Sequence, residues 1–349
     1  MNSLLTSDYD YDLPEDLIAK KPASKRDHSK LFVLDRKTAT FTHKIFYQIV
    51  DYLSPNDLLV LNNTKVIESR IFGEKETGGK VEILLLKKIE EKIWQATVSP
   101  SKRIRKGSKI IIGESYAVVE EDLEQNIKQL RFFCEDDFSL FLKKYGNTPL
   151  PPYIASRLSD EEKKDPNILQ RYQTIYASKE GAAAAPTAGL HFTKEIFEKL
   201  RHKGIEITYI TLHTGIGTFK PVKVEKITDH KMAEEEYEIN PETAQKILKA
   251  KENGKRIVAV GTTVTRCLED CFAKNNKIVS TKDEAKIFIY PPFEFRVVDA
   301  LITNFHFPKS TLLMLVSAFA GRELILNAYR EAIEKKYRFY SFGDAMLIV

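Results

Sequence analysis

Three histidines in this chain stand in loops whose neighbours suit them to proton transfer. His191 lies in Ala184-Ala185-Pro186-Thr187-Ala188-Gly189-Leu190-His191-Phe192-Thr193, His213 in Thr211-Leu212-His213-Thr214-Gly215-Ile216-Gly217-Thr218-Phe219, and His306 in Thr303-Asn304-Phe305-His306-Phe307-Pro308-Lys309-Ser310-Thr311. An imidazole at a strand end can give or take a proton near neutral pH. Small residues around His191 let a polar ligand approach the backbone, and Gly189 permits dihedrals closed to other residues. A fourth loop, Val258-Ala259-Val260-Gly261-Thr262-Thr263, leads from an apolar run into a helical stretch, so its amides and hydroxyls suit an anion or a ribose.

Other chemistries fit less well. The histidines are distant singles without His-x-x-x-His or Glu-x-x-His spacing, so no metal is expected. Cys134, Cys267 and Cys271 form neither an even framework nor a paired knuckle and read as reduced thiols; no motif supplies a base to activate one. There is no Gly-x-Ser-x-Gly elbow, and Gly261-Thr262-Thr263 lacks the lysine and spacing of a Walker loop. His28, His43 and His202 sit in charged or amphipathic surroundings and read as surface, as does the acidic run Glu234-Glu235-Glu236 beside His230.

The elements that must hold these loops follow from the hydrophobic pattern. Leu58 to Leu61 reads as a buried strand ending at Asn62-Asn63-Thr64. Six short β-rich runs follow, Val66–Phe72, Lys80–Leu86, Trp94–Val98, Lys109–Ile112, Tyr116–Val119 and Gln129–Phe133, and without long helices they predict a small antiparallel β-barrel. A helix over Asp137 to Tyr145 then gives way to the stiff connector Pro149-Leu150-Pro151-Pro152-Tyr153. Beyond it, strand-like runs at Ile205–Leu212, Arg256–Val260, Ile287–Tyr290 and Ala300–Thr303 alternate with helical stretches at Lys194–Lys203, Pro241–Asn253, Val264–Lys274 and Leu312–Lys335. Such alternation predicts an α/β fold with a mostly parallel sheet, its core domain formed by residues 1–64 plus 152–349 and the β-barrel inserted at 65–151.

With 349 residues the chain exceeds the usual size of a single core, which agrees with two domains. The polar, acidic N-terminus has no signal-peptide core and no apolar run has membrane length, so a cytoplasmic protein without a membrane partner is expected. A net charge of +5 with interleaved signs allows an anionic partner without requiring one.

End to end, the sequence resembles the S-adenosylmethionine:tRNA ribosyltransferase-isomerase family, which makes epoxyqueuosine in tRNA. The resemblance is carried by Tyr11-Asp12-Leu13-Pro14, Asn62-Asn63-Thr64-Lys65-Val66, Gly79-Lys80-Val81-Glu82, Pro149-Leu150-Pro151-Pro152-Tyr153-Ile154, Arg171-Tyr172-Gln173-Thr174 and the segment Ala184 to Thr193. It continues through Thr211-Leu212-His213, Gly217-Thr218-Phe219, Val260-Gly261-Thr262-Thr263, Phe295-Arg296-Val297-Val298-Asp299, Thr303-Asn304-Phe305-His306, Pro308 to Leu315 and Gly343 to Ile348. The chain departs from the family pattern at Asn63, at Ala233, at Ile216 between two glycines, and at Pro291-Pro292-Phe293.

The resemblance implies transfer and isomerisation of the ribosyl part of S-adenosylmethionine onto 7-aminomethyl-7-deazaguanine at the tRNA wobble position, releasing adenine and methionine. The cosubstrate is consumed and no cofactor is implied. On this reading His191, His213 and His306 do acid–base work. Thr187, Ala188, Gly189, Phe192, Gly261, Thr262 and Thr263 shape the cosubstrate pocket, with the Phe192 ring against the sulfonium. Arg296, Asn304, Lys309 and Ser310 are candidates for the substrate base or phosphates. Lys102, Arg103, Arg105 and Lys106, with Lys20-Lys21 and Lys25-Arg26, are candidates for tRNA phosphates. A monomer is expected. The alternatives are an S-adenosylmethionine-dependent tRNA methyltransferase, for which a Gly-x-Gly-x-Gly loop is missing, and a non-catalytic RNA-binding protein, which leaves four polar loops unexplained.

Overall fold

The computed structural model describes residues 4–123, 126–159, 161–215 and 222–349. The chain divides into two compact units, one formed by residues 1–64, 152–178 and 186–349, the other by 65–151 and 179–185.

The larger unit is built on a nine-stranded sheet whose interior strands are apolar on both faces. In spatial order the strands are Thr281–Ala285, Glu235–Ile239, Glu206–Leu212, Asp57–Asn62, Arg256–Val260, Ala300–Asn304, Ala345–Ile348, Lys30–Asp35 and Thr40–Ile45. Four neighbours, Glu206–Leu212, Asp57–Asn62, Arg256–Val260 and Ala300–Asn304, run parallel. The strands flanking that group add antiparallel pairings, so the sheet as a whole is mixed.

Alternate residues of each strand feed opposite cores, as the two-residue period demands. Leu58 and Val60 join one apolar cluster with Ile247, Leu268, Leu315 and Tyr329 from the helices Pro241–Glu252, Thr262–Asn275, Thr311–Ala320 and Arg322–Glu334. Leu59 and Leu61 join the other, with Phe192, Ile196 and Phe197 and with Phe46 from the turn Phe46–Tyr52. Helices therefore cover both faces, and the carboxyl ends of the parallel strands open along one edge.

The local signals explain the helix boundaries. Thr193, Asn240 and Ser310 each cap a helix by accepting an amide of its first turn, and Pro241 occupies the first position after Asn240.

Three expectations change. Leu312–Lys335 is two helices, since Gly321, at φ 92°, stands between Thr311–Ala320 and Arg322–Glu334, which bend by 112°. Ile287–Tyr290 is not a strand: the amides of Lys286 and Ile287 turn to the Asp270 carboxylate, and Thr281–Ala285 supplies the edge strand instead. Nor is Glu234-Glu235-Glu236 simply a solvated face. Glu235 is buried against the equally buried Arg266, at the start of the strand Glu235–Ile239.

The smaller unit is an antiparallel barrel of six strands in the order Arg70–Lys75, Lys80–Glu90, Ile93–Ser99, Ile127–Phe133, Ser115–Asp122 and Lys109–Ile112, closed by pairing of the first with the last. Its inward residues, among them Ile71, Ile83, Ala96, Leu130 and Ala117, pack with Phe138 and Phe141 of the helix Phe138–Tyr145. Among the described residues no single helix is long and apolar enough to cross a membrane.

Candidate active site

The carboxyl ends of the four parallel strands place four polar segments side by side: His213 after Leu212, Asn63-Thr64 after Asn62, Gly261-Thr262-Thr263 after Val260, and Phe305-His306 after Asn304. This is the edge at which open α/β sheets bind ligands.

His191 is the most enclosed of the three histidines. It ends the short 3₁₀ turn Thr187–His191 and lies against the Phe46 ring at 5.0 Å. Its Nδ1 is 2.7 Å from Ser29 Oγ and its Nε2 is 3.3 Å from Asn304 Nδ2. Asn304 Nδ2 also donates to the Tyr340 carbonyl at 3.0 Å, which fixes the amide orientation. An amide N–H facing Nε2 makes that nitrogen an acceptor. The ring proton therefore sits on Nδ1 and is donated to Ser29, whose hydroxyl reaches back to the Arg26 carbonyl. Burial, reinforced by the guanidiniums of Arg338, Arg26 and Arg171, pushes the imidazole pKa down to about 3 and keeps the ring neutral.

His306 is also held neutral, by burial alone, with its pKa pushed down to about 3. Its Nε2 meets Thr303 Oγ1 at 2.8 Å, its amide donates to Tyr329 Oη, and its carbonyl accepts from Tyr11 Oη. These contacts anchor the loop. His213 is different. It is half-buried, with Nδ1 2.8 Å from Thr64 Oγ1. Burial lowers its pKa while Glu236 and Glu238 oppose the shift. At strand spacing of about 4.8 Å, three inter-strand steps separate His213 from Asn304 by about 14 Å. The histidines thus mark two places on the edge.

The Asn62-Asn63-Thr64 motif has a mechanical role. Asn62 bonds the Leu212 carbonyl and amide, and Asn63 accepts from Thr211 Oγ1, so the motif ties the ends of two strands together below His213. The departure at Asn63 keeps an oxygen for that bond. In the loop that follows, residues 216–221 lie outside the described residues, and with them Gly217-Thr218-Phe219 and Ile216.

Among the cosubstrate candidates, Thr187, Ala188 and Gly189 form the turn leading to His191. Gly189 is required there, because a Cβ on it would lie 1.9 Å from Tyr176 Oη. Gly261, at φ 97°, opens the helix Thr262–Asn275, and a Cβ built on it would stand 3.8 Å from Ala188 Cβ, so the two loops are adjacent. Phe192 does not line this cleft. It is fully buried, stacked on Phe197 at 5.3 Å and edge-on to Phe46, and cannot face a sulfonium.

The other candidates separate in the same way. Asn304 is beside His191, and its Oδ1 is buried with no hydrogen-bond partner within the chain. Ser310 is committed to helix capping, accepting from the Leu313 amide and donating to the Phe307 carbonyl. Lys309 pairs with Asp10 at 2.7 Å. Arg296 pairs with Glu294 and precedes the strand Ala300–Asn304, which places it toward the opposite edge of the sheet. On the barrel, Lys102, Arg103, Arg105 and Lys106 are exposed around the buried Ile104. Of the N-terminal basic residues, Arg26 is no surface charge: it donates to the carbonyls of Gln170, Arg171, Gln173 and Leu190, while Lys21 pairs with Glu162.

Ser29 and Tyr340 had no signal in the sequence, since they are single residues far from every motif they serve. Cys267 and Cys271 are buried core thiols whose pKa burial raises. Among the described residues no three His, Cys, Asp or Glu side chains converge as a metal site would need.

The sequence matches the family model described as "Queuosine biosynthesis protein" over residues 6–348. It is 54% identical to the S-adenosylmethionine:tRNA ribosyltransferase-isomerase of Sulfurihydrogenibium sp. (strain YO3AOP1), over 98% of this chain and 99% of that protein. It is 50% identical to the protein of the same name from Clostridioides difficile (strain 630), with the same coverage. The crystal structure of S-adenosylmethionine tRNA ribosyltransferase from Thermotoga maritima superposes with a TM-score of 0.56 at 40% identity, covering 98% of this chain and 100% of that one. Together with the motifs at the strand ends, these matches show that the chain belongs to the queuosine biosynthesis protein family.

Proposed function

We propose that this protein moves the ribosyl part of S-adenosylmethionine onto the aminomethyl group of 7-aminomethyl-7-deazaguanine at the wobble position of a cytoplasmic tRNA, giving epoxyqueuosine-tRNA, adenine and methionine. The observation that carries the reading is the buried Ser29–His191–Asn304 array at the carboxyl edge, where a neutral imidazole stands beside an unpartnered amide oxygen. Family membership supplies the reaction class.

In that reaction the sulfonium acidifies C5′, a base removes one proton, adenine leaves C1′ with the bonding pair, and the substrate amine forms the new bond to C1′. The amine nitrogen's pair then opens C1′–O4′ to an iminium, and the C5′ carbanion bonds to C1′ to close a five-carbon ring. The O4′ alkoxide left on C4′ attacks C5′ to close the epoxide as the C5′–sulfur bond breaks and methionine departs. Of the protons released by C5′ and the amine, one goes to adenine. Proton transfers of this kind need neutral bases. We assign them to His213, and give His191, whose two ring nitrogens are engaged by Ser29 and Asn304, the positioning of Asn304 at the same edge. Thr64 occupies Nδ1 of His213 and leaves Nε2 for substrate. His306 shapes the same end of the sheet from within the core.

The test uses S-adenosylmethionine labelled separately in ribose and methyl, with tRNA bearing the aminomethyl base. Ribose label in the tRNA supports the proposal. Methyl label identifies a methyltransferase, and no label identifies an RNA-binding protein. His191→Ala is expected to abolish adenine release in a folded protein; turnover at the wild-type rate removes His191 from that positioning role.

A further inference from the structure

The helix Thr262–Asn275 begins differently from the helices capped by Thr193, Asn240 and Ser310. Gly261 at its N-cap has no side chain to accept an amide of the first turn, and its own amide is taken by the Ile302 carbonyl. Fourteen residues of aligned peptide dipoles therefore end at the carboxyl edge with first-turn donors uncapped by any side chain. An independent observation lies in the same turn. Thr263 is 8% exposed, and its Oγ1 is buried without a hydrogen-bond partner within the chain. That hydroxyl faces the mouth of the helix, 3.6 Å from where a Cβ on Gly261 would stand, with Ala188 on the other side at 3.8 Å. Buried hydroxyls without partners are uncommon, and a donor pointing where helix amides also point marks an anion position.

We propose that this turn holds the methionyl carboxylate of S-adenosylmethionine, with Thr263 Oγ1 donating one hydrogen bond and the first-turn amides the others. The inference rests on the function proposed above and specifies which end of the cosubstrate lies against Gly261. Fixing the amino-acid end here sets the direction in which the sulfonium and ribose extend from the helix mouth, along the edge where the Thr187–His191 turn and Asn304 meet. A tRNA phosphate offers the same anionic oxygens. The narrow gap beside Gly261, where an added Cβ would already touch Thr263 Oγ1 at 3.6 Å and Ala188 Cβ at 3.8 Å, favours the smaller, planar carboxylate over a tetrahedral phosphate.

The experiment compares Thr263→Val with wild type by calorimetric titration of two ligands, S-adenosylmethionine and its decarboxylated form, together with filter binding of tRNA. Valine keeps the shape of threonine and removes a hydroxyl that has no partner in the chain, so folding should survive; circular dichroism and thermal melting check it. Wild type is expected to bind the decarboxylated ligand at least tenfold more weakly. Thr263→Val should weaken S-adenosylmethionine about tenfold, leave the decarboxylated ligand unchanged, and leave tRNA affinity unchanged. Equal weakening of both ligands, or no weakening of either, overturns the carboxylate assignment. Loss of tRNA affinity with S-adenosylmethionine binding intact overturns it in favour of a phosphate. If wild type binds S-adenosylmethionine but the labelling experiment transfers no ribose, the proposed function fails while the carboxylate site stands.

Discussion

At the scale of single residues, the Ser29–His191–Asn304 array makes the tautomer of one imidazole depend on a serine that no motif contains. Replacing Ser29 with alanine removes the acceptor for Nδ1–H and frees the ring to turn. We expect kcat to fall about tenfold, the equivalent of one buried hydrogen bond of ~1.4 kcal/mol, with KM for S-adenosylmethionine nearly unchanged. Ser29→Thr should restore most of the rate, and a loss in KM alone would argue that Ser29 only packs. The buried histidines also set an acid limit. Both are neutral in the folded protein at pKa values near 3 and titrate near 6.5 when unfolded. The unfolded chain then binds more protons below pH 6.5, so their contribution to stability is complete above that value and is lost as the pH falls toward 3. Urea unfolding at a series of pH values should show this slope, and a His306→Asn variant, lacking one of the two groups, should show a shallower one.

At the scale of elements, one glycine divides a long helical pattern into two helices. Gly321, at φ 92° and ψ 131°, ends Thr311–Ala320 and starts Arg322–Glu334. The apolar periodicity runs straight through it, which is why the sequence reads as one helix from Leu312 to Lys335. Gly321→Ala forces a side chain into a conformation reserved for glycine and should cost about 1–3 kcal/mol of stability, measured by thermal or urea unfolding. Cosubstrate affinity in the folded fraction should stay constant, because the bend lies away from the carboxyl edge of the sheet. The edge strands show the converse case. Glu235–Ile239 and Thr281–Ala285 carry charges that hide their strand character, and their pairing is secured by Arg266, which binds Glu235 and the carbonyls of Ala233 and Ala285. The four interior strands were legible as short, continuous apolar runs because both of their faces are buried.

At the scale of the whole molecule, the function proposed above requires the chain to bind both a small charged cosubstrate and a large polyanion. The barrel contributes a loop with Lys102, Arg103, Arg105 and Lys106 exposed, held by Ile104 in the core and by the bond from the Lys106 amide to Asp122. If this loop meets tRNA phosphates, replacing all four with glutamine should weaken tRNA binding at moderate salt. It should also flatten the dependence of log affinity on log salt by up to about 3, at roughly 0.7–0.9 for each phosphate that is no longer neutralised. S-adenosylmethionine affinity should be untouched. An unchanged salt slope would exclude the loop from the RNA interface.

The sequence by itself determined the barrel of six strands, the four parallel strands and the loops at their ends, because these depend on local periodicity and on glycine, proline and cap residues. It also carried the family, through motifs spread along the whole chain. Tertiary structure alone decided which loop residues lie open at the carboxyl edge of the sheet and which are committed elsewhere. Phe192 went to the core and Ser310 to a helix cap. Arg296 fell toward the far edge of the sheet, Arg26 was spent on four carbonyls, and Ser29 came from 162 positions away to hold His191. Side-chain type sets what a residue can bond, but its partner is set by which strands lie side by side, and that order is fixed only when both faces of the sheet are buried.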